Sequence, residues 1–149
     1  KGGHSQVYDK MKLQSKSEAE TRDIGRRIGK RLKPGNVVCL YGDLGAGKTT
    51  MVKGIASALG SSERDITSAS YTSIAEYDED GAFYHIDLYR LTPEQIPDLG
   101  LHEYLGSDGI SVIEWAERAE EEIPDNSIRV RLNHIEDNLR EIEIRGVEV

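Results

Sequence analysis

The chain has 149 residues and a formal charge of −8, with 31% of its residues charged and 37% hydrophobic. One domain of this length buries about 70% of its unfolded surface; no stretch approaches the roughly 20 apolar residues of a membrane span, and no apolar N-terminal signal segment is visible. The acidic balance excludes broad contact with a nucleic-acid backbone, which needs clustered Lys and Arg, and the single Cys39 allows no disulfide within the chain, pointing to a reducing cytoplasm.

The sequence reads as one domain over 1–149, with residues 1–6 disordered as a ragged natural end or an expression remnant. Val7 to Leu13 is a strand candidate. Ser17-Glu18-Ala19-Glu20 forms a capping box, Ser17 as N-cap and Glu20 reaching back. It opens a helix with Ile24, Ile28 and Leu32 inward and Arg26, Arg27, Lys30, Arg31 and Lys33 outward. That basic face is either solvated, the favoured reading, or a docking patch for an acidic protein or an RNA. Pro34-Gly35 ends the helix. Val37-Val38-Cys39-Leu40-Tyr41 is then an unbroken apolar run, as expected of a strand buried on both faces, and Cys39 within it reads as an inert thiol.

Gly42-Asp43-Leu44-Gly45-Ala46-Gly47-Lys48-Thr49 follows directly, a complete G-x-x-x-x-G-K-[ST] loop. Its glycines let the backbone curl so that N–H groups point at phosphate oxygens. Lys48 adds a charge near the β- and γ-phosphates, and the Thr49 hydroxyl can ligate Mg²⁺. Thr50 to Leu59 continues as a helix with Met51, Val52, Ile55, Ala58 and Leu59 on one face, stopped by Gly60. Strand, glycine loop and helix stand in the order that phosphate binding requires, and the helix aims its positive end at the anion.

Further on, Ile66 to Ala69 leads into Tyr71 to Tyr77, a turn at Asp78-Glu79-Asp80-Gly81 and a strand from Ala82 to Tyr89, an expected antiparallel hairpin. Thr92-Pro93 starts a short helix that Pro97 should interrupt, and Leu99 to Leu105 is another short helical segment. Asp108-Gly109 turns into the buried strand Ile110–Ile113, closed by Glu114-Trp115 and followed by an acidic helix, Ala116 to Glu122. Ile128, Val130 and Leu132, then Ile142 and Ile144, alternate with polar residues and predict two strands paired through the Asn133–Asn138 region. Together these elements predict a three-layer α/β P-loop NTPase fold with a mixed, largely parallel central sheet and a C-terminal β-hairpin.

Hydrolysis needs more than phosphate binding: a strand-end carboxylate must fix Mg²⁺ and a water must be positioned. Asp87 and Glu114 occupy such positions; each alone could equally be an ordinary surface carboxylate. His85 shares the face of Asp87 and either orients it or packs, with packing favoured. Arg90 offers a phosphate contact or a salt bridge. Trp115 could stack or gate beside the site, but a core anchor is favoured.

In order along the chain, Leu44-Gly45-Ala46-Gly47-Lys48-Thr49-Thr50, Ser68-Ala69-Ser70-Tyr71, His85-Ile86-Asp87-Leu88-Tyr89-Arg90 and Ile113-Glu114-Trp115 resemble the signature of the TsaE (YjeE) ATPases. These are small bacterial P-loop proteins required for threonylcarbamoyladenosine modification of tRNA, beside the anticodon. The resemblance runs from about Thr21 to Arg140, and H-x-D-x-Y-R and E-W carry it more than the glycine loop. It implies ATP/ADP and Mg²⁺ as cofactors, with Thr49, Asp87 and Glu114 around the metal, Asp87 as the Walker B carboxylate, and Glu114 as ligand or water-orienting base. It also implies Glu18 or Thr21 near the base or ribose and Arg140 as a nucleotide contact, although Asn138-Leu139 depart from the usual glycine before that arginine. Ser68–Tyr71 matches a switch-like loop in which Ala69 replaces proline and Ser70 threonine; after Glu114-Trp115, Ala116 replaces another proline.

The implied job is ATP hydrolysis that resets a TsaB–TsaD heterodimer between turnovers, with tRNA engaged only through that complex. One alternative is a small P-loop kinase, for which no arginine-rich lid or acceptor site is evident. Another is a regulatory GTPase, for which the Asn-Lys-x-Asp guanine motif is absent. A third is a nucleotide-dependent binding switch with little turnover.

Overall fold

Val37 to Tyr41, apolar at every position, is buried throughout its length in a seven-stranded sheet. The structure, a computed structural model, describes residues 10–43, 45–61, 74–77, 83–106 and 108–149. Within them the strands are β1 (Lys10–Ser15), β2 (Val37–Tyr41), β3 (Ile74–Tyr77), β4 (Phe83–Asp87), β5 (Ile110–Glu114), β6 (Ile128–Glu136) and β7 (Leu139–Arg145). The α-helices are α1 (Glu18–Gly29) and α2 (Lys48–Ala58). Residues 1–6, the 7–9 start of the first predicted strand, Leu44, the Ile66–Ala69 lead-in, the Ser68–Tyr71 loop and the Asp78–Gly81 turn lie outside the described residues.

The strand order is β1-β7-β6-β2-β5-β4-β3. Only the central run β6-β2-β5-β4 is parallel; the outer pairs β1–β7, β7–β6 and β4–β3 are antiparallel. The sheet is mixed as expected but half rather than largely parallel. The cause is local: only a few residues separate β3 from β4 and β6 from β7, too few for the crossover that a parallel pair requires. In the β6–β7 hairpin the turn places Asp137 at φ 43°, a left-handed conformation that Asp tolerates.

Alternation along β6 and β7 sends Val130, Leu132, Ile142 and Ile144 to one side of the sheet, where they meet Ile24 and Ile28 of α1 and Met51, Val52 and Ile55 of α2. On the other side Cys39, Ile86 and Ile113 pack against Ile96, Leu101, Ala119 and Ile123, so the domain has three layers. The second cover is not α-helical. The segment from Thr92 is a set of turns in which Pro97 begins a 3₁₀ turn, Pro97–Leu99, instead of interrupting a helix; a proline at a first helical position loses no bond the chain would otherwise make. Leu101–Glu103 is likewise 3₁₀. The acidic segment Ala116–Glu122 is two 3₁₀ turns broken at Ala119, which lets Ala116, Ala119 and Ile123 reach the sheet together.

The predicted cap is present with one shift: Ser17 Oγ accepts from the Glu20 N–H at 3.0 Å, whereas Glu20 Oε1 accepts from Lys16 N at 2.7 Å, one residue before the N-cap. Arg27, Lys30, Arg31 and Lys33 are exposed around the C-terminus of α1, where cations interact favourably with the negative end of the helix dipole. Cys39 is fully buried, and burial pushes its thiol up to about 12. Among the described residues, no helix is long and apolar enough to cross a membrane.

α1 and α2 approach so closely that a Cβ built on Gly54 would lie 2.0 Å from the carbonyl oxygen of Arg22. A backbone atom cannot move aside as a side chain can. Gly54→Ala should therefore force the helices apart and lower unfolding stability by about 3 kcal/mol. Urea denaturation checks this, and an unchanged midpoint would contradict the helix contact.

Candidate functional site

β2 delivers the chain to Gly42, and α2 begins at Lys48. Gly47 stands at the N-cap of α2 with φ 106°, a conformation that costs a side chain dearly and glycine little. No side chain caps this helix, so its first-turn N–H groups are left for a ligand. The loop opens on a cleft of about 460 Å³ above the C-terminal ends of β2, β4 and β5. Gly45, Gly47, Lys48, Thr49 and Thr50 form its floor; Glu18 and Thr21 of α1 and Arg140 of β7 also line it, with Asp87, Tyr89, Arg90, Glu114 and Trp115 completing the wall.

β4 and β5 run parallel with Asp87 directly beside Glu114, so two carboxylates stand together at the strand ends. Glu114 is buried, its Oε1 and Oε2 lying 3.3 and 3.4 Å from the Thr49 hydroxyl, which donates to them. Asp87 Oδ1 accepts from Tyr89 N at 3.0 Å. Burial raises the Asp87 carboxyl above the usual carboxylate range, and the charge of Glu114 pushes the same way. Lys48 donates to the carbonyls of Gly42 and, at 3.0 Å, Asp43, and its Nζ stands 4.0 Å over the ring of Trp115. Desolvation lowers the Lys48 pKa, opposed first by Glu114. The cleft thus holds a cation and two carboxylates, and burial disfavours the charged forms of Lys48 and Asp87.

The cleft brings together nearly all the residues expected there. Asp43 and Ala46 do not line it: Asp43 is exposed and contributes its carbonyl to Lys48, while Ala46 is buried beneath the loop. His85 neither orients Asp87 nor merely packs; its Nε2 lies 2.6 Å from Glu114 Oε2. Being two residues from Asp87 on one strand face, it reaches diagonally across to the neighbouring strand. Trp115 touches the core but is half-buried in the cleft wall, with φ 60° and its ring 5.0 Å from that of Tyr89. Both expected placements hold in part: Trp115 packs against the core and also lines the cleft. Tyr89, a fixed position of the H-x-D-x-Y-R motif but given no site role from the sequence, lines the cleft two residues after Asp87. Arg90 is exposed on the cleft rim.

The family model for TsaE, the threonylcarbamoyl adenosine biosynthesis protein, matches residues 15–142. The chain belongs to the TsaE family. The match contains the glycine loop, both carboxylates and Arg140. TsaE relatives described as tRNA threonylcarbamoyladenosine biosynthesis proteins include one from Bacillus subtilis, 40% identical over 92% of this chain and 86% of that protein. Another, from Treponema pallidum, is 40% identical over 90% of this chain and 99% of that protein. The crystal structure of YdiB from Bacillus subtilis superposes with a TM-score of 0.77 and 35% identity, covering 94% of this chain and 87% of that one.

Proposed function

We propose that this chain is a Mg²⁺-dependent ATPase of the P-loop NTPase fold that serves tRNA threonylcarbamoyladenosine biosynthesis in the cytoplasm by driving turnover of a TsaB–TsaD pair. The family membership and the relatives' names support the pathway. The observation that carries the chemistry is the pairing of Asp87 with Glu114 in register, opposite Thr49 and Lys48 in one cleft.

Glycine-loop and first-turn amides would hold the phosphate oxygens, and the Lys48 ammonium would leave its two carbonyls to sit beside the terminal phosphates. Bound Mg²⁺ would neutralise charge on the β- and γ-oxygens. Its fit here rests on donor chemistry: Thr49, Asp87 and Glu114 offer hard oxygen atoms, which suit magnesium. Asp87 would hold the metal, and Glu114, whose carboxylate is fixed by His85 at 2.6 Å, would either join it as a ligand or orient a water. Glu18 and Thr21, on the far wall, are where the ribose or base would rest.

Lys48 meets the carbonyls of its own loop and the ring of Trp115. Since Trp115 is the only tryptophan, movement of Lys48 toward phosphate should change the protein's fluorescence. Titration with ADP is expected to give a saturable change, and a flat titration accompanied by calorimetric binding would contradict the Lys48–Trp115 coupling. Nucleotide choice is tested by calorimetry with ATP and GTP: preference for ATP supports the reading, and a clear preference for GTP overturns it. Transfer of the γ-phosphate to a small acceptor, rather than release as phosphate, would instead support the kinase alternative.

A further inference from the structure

The sequence resemblance would use Arg140 as a contact to nucleotide, yet its guanidinium is already engaged with the protein backbone. Nε donates to the Ala46 carbonyl at 2.8 Å and Nη2 to the Gly45 carbonyl at 3.1 Å, while Nη1 donates to the Asn138 carbonyl at 3.2 Å. We infer that Arg140 is a positioning residue, a brace that holds the glycine loop in its phosphate-accepting shape; the phosphate part of this inference rests on the function proposed above.

In a trans peptide the carbonyl and the following N–H lie on opposite sides. Holding the Ala46 carbonyl toward Arg140 therefore turns the Gly47 N–H the other way, and Gly47 lines the cleft. Holding the Gly45 carbonyl fixes the preceding peptide unit, whose own Ala46 N–H donates to the Asp43 carbonyl at 3.0 Å and closes the turn. A planar fork with donors at fixed angles holds two successive carbonyls in one set geometry, whereas an ammonium on a flexible stem fixes no angle between the carbonyls it meets.

The brace is anchored at its other end. Arg140 pairs in register with His134 of β6 and Ser15 of β1. Ser15 Oγ in turn lies 2.7 Å from Thr21 Oγ1 and donates to the Ser17 carbonyl at 2.8 Å. One chain of bonds thus ties the glycine loop to the β6–β7 hairpin and to the start of α1, whose Glu18 and Thr21 form the opposite wall of the cleft. The two walls keep their spacing through Arg140.

The test uses Arg140→Ala and Arg140→Lys in the full chain. In nucleotide-free protein, hydrogen exchange of the amides from 42 to 49 should speed up by about tenfold or more, the equivalent of one charge-assisted bond, in both variants. ADP and ATP affinities should fall by similar factors, also about tenfold, with kcat at saturating ATP changed far less than KM. Unchanged loop exchange would overturn the brace. Loss confined to ATP would make Arg140 a γ-phosphate contact instead, and loss of kcat with unchanged affinity would make it a catalytic residue. If the wild-type protein binds neither nucleotide, the proposed function fails, while the exchange comparison still decides whether Arg140 braces the loop.

Discussion

Lys48→Ala should abolish detectable ATP hydrolysis and weaken ADP and ATP binding by roughly 10- to 100-fold, the worth of one lost charge-assisted contact to phosphate. In the free protein Lys48 is buried and its pKa is depressed by desolvation, so it contributes little to the fold for the cost of its burial. The carbonyls it satisfies belong to half-buried Gly42 and exposed Asp43, which solvent can reach, so water can replace it. Folding should therefore survive while function is lost. Calorimetry with ADP and ATP, alongside circular dichroism, measures both; a folded variant with wild-type affinity would mean that the loop does not hold phosphate.

Asp87→Ala should separate binding from turnover. Most of the nucleotide affinity should remain, because glycine-loop amides and Lys48 supply it, while Mg²⁺-dependent phosphate release should fall by about 10² or more, the scale on which a single transition-state electrostatic contact is felt. Stability should move the other way. The Asp87 pKa is raised in the folded state, chiefly by burial, so the folded chain holds that proton more tightly than the unfolded one. Its contribution to stability then falls as pH rises from the ordinary carboxylate range through the raised value. Removing the carboxylate should leave the melting temperature at neutral pH, measured in EDTA, equal or higher, a stability gain with a loss of function. Wild-type hydrolysis, or a large drop in melting temperature, would return Asp87 to a structural role. Glu114 is better probed as Glu114→Gln, since truncation to Ala would leave the buried His85 without its 2.6 Å partner.

Much of this site was legible because its signals are local. The apolar run of β2, the glycine loop and the periodic face of α2 are consecutive, so one stretch of chain states both the structure and the ligand. Asp87 and Glu114 were legible as strand-end acids, since each closes an apolar run. What escaped depends on strand order, which no local pattern encodes. His85 meets Glu114 only because β4 lies beside β5 in parallel register, and Arg140 reaches Gly45 and Ala46 only because β7 returns beside β6 and β6 beside β2. Ala116–Glu122 misled for another reason: its residues favour a helix by composition, but burying Ala116, Ala119 and Ile123 together on the sheet requires the break at Ala119. Tertiary contact outweighed propensity there.

The central claim is that Asp87, Glu114 and Lys48 form an ATP-hydrolysing site that works for a partner. The most direct measurement is phosphate release from ATP by the purified chain, with Mg²⁺, in the presence and absence of purified TsaB–TsaD. The account predicts slow release alone, a clear increase with the pair, and loss of both in Lys48→Ala. Release that is absent under both conditions, or equal in the wild-type and Lys48→Ala proteins, would contradict it.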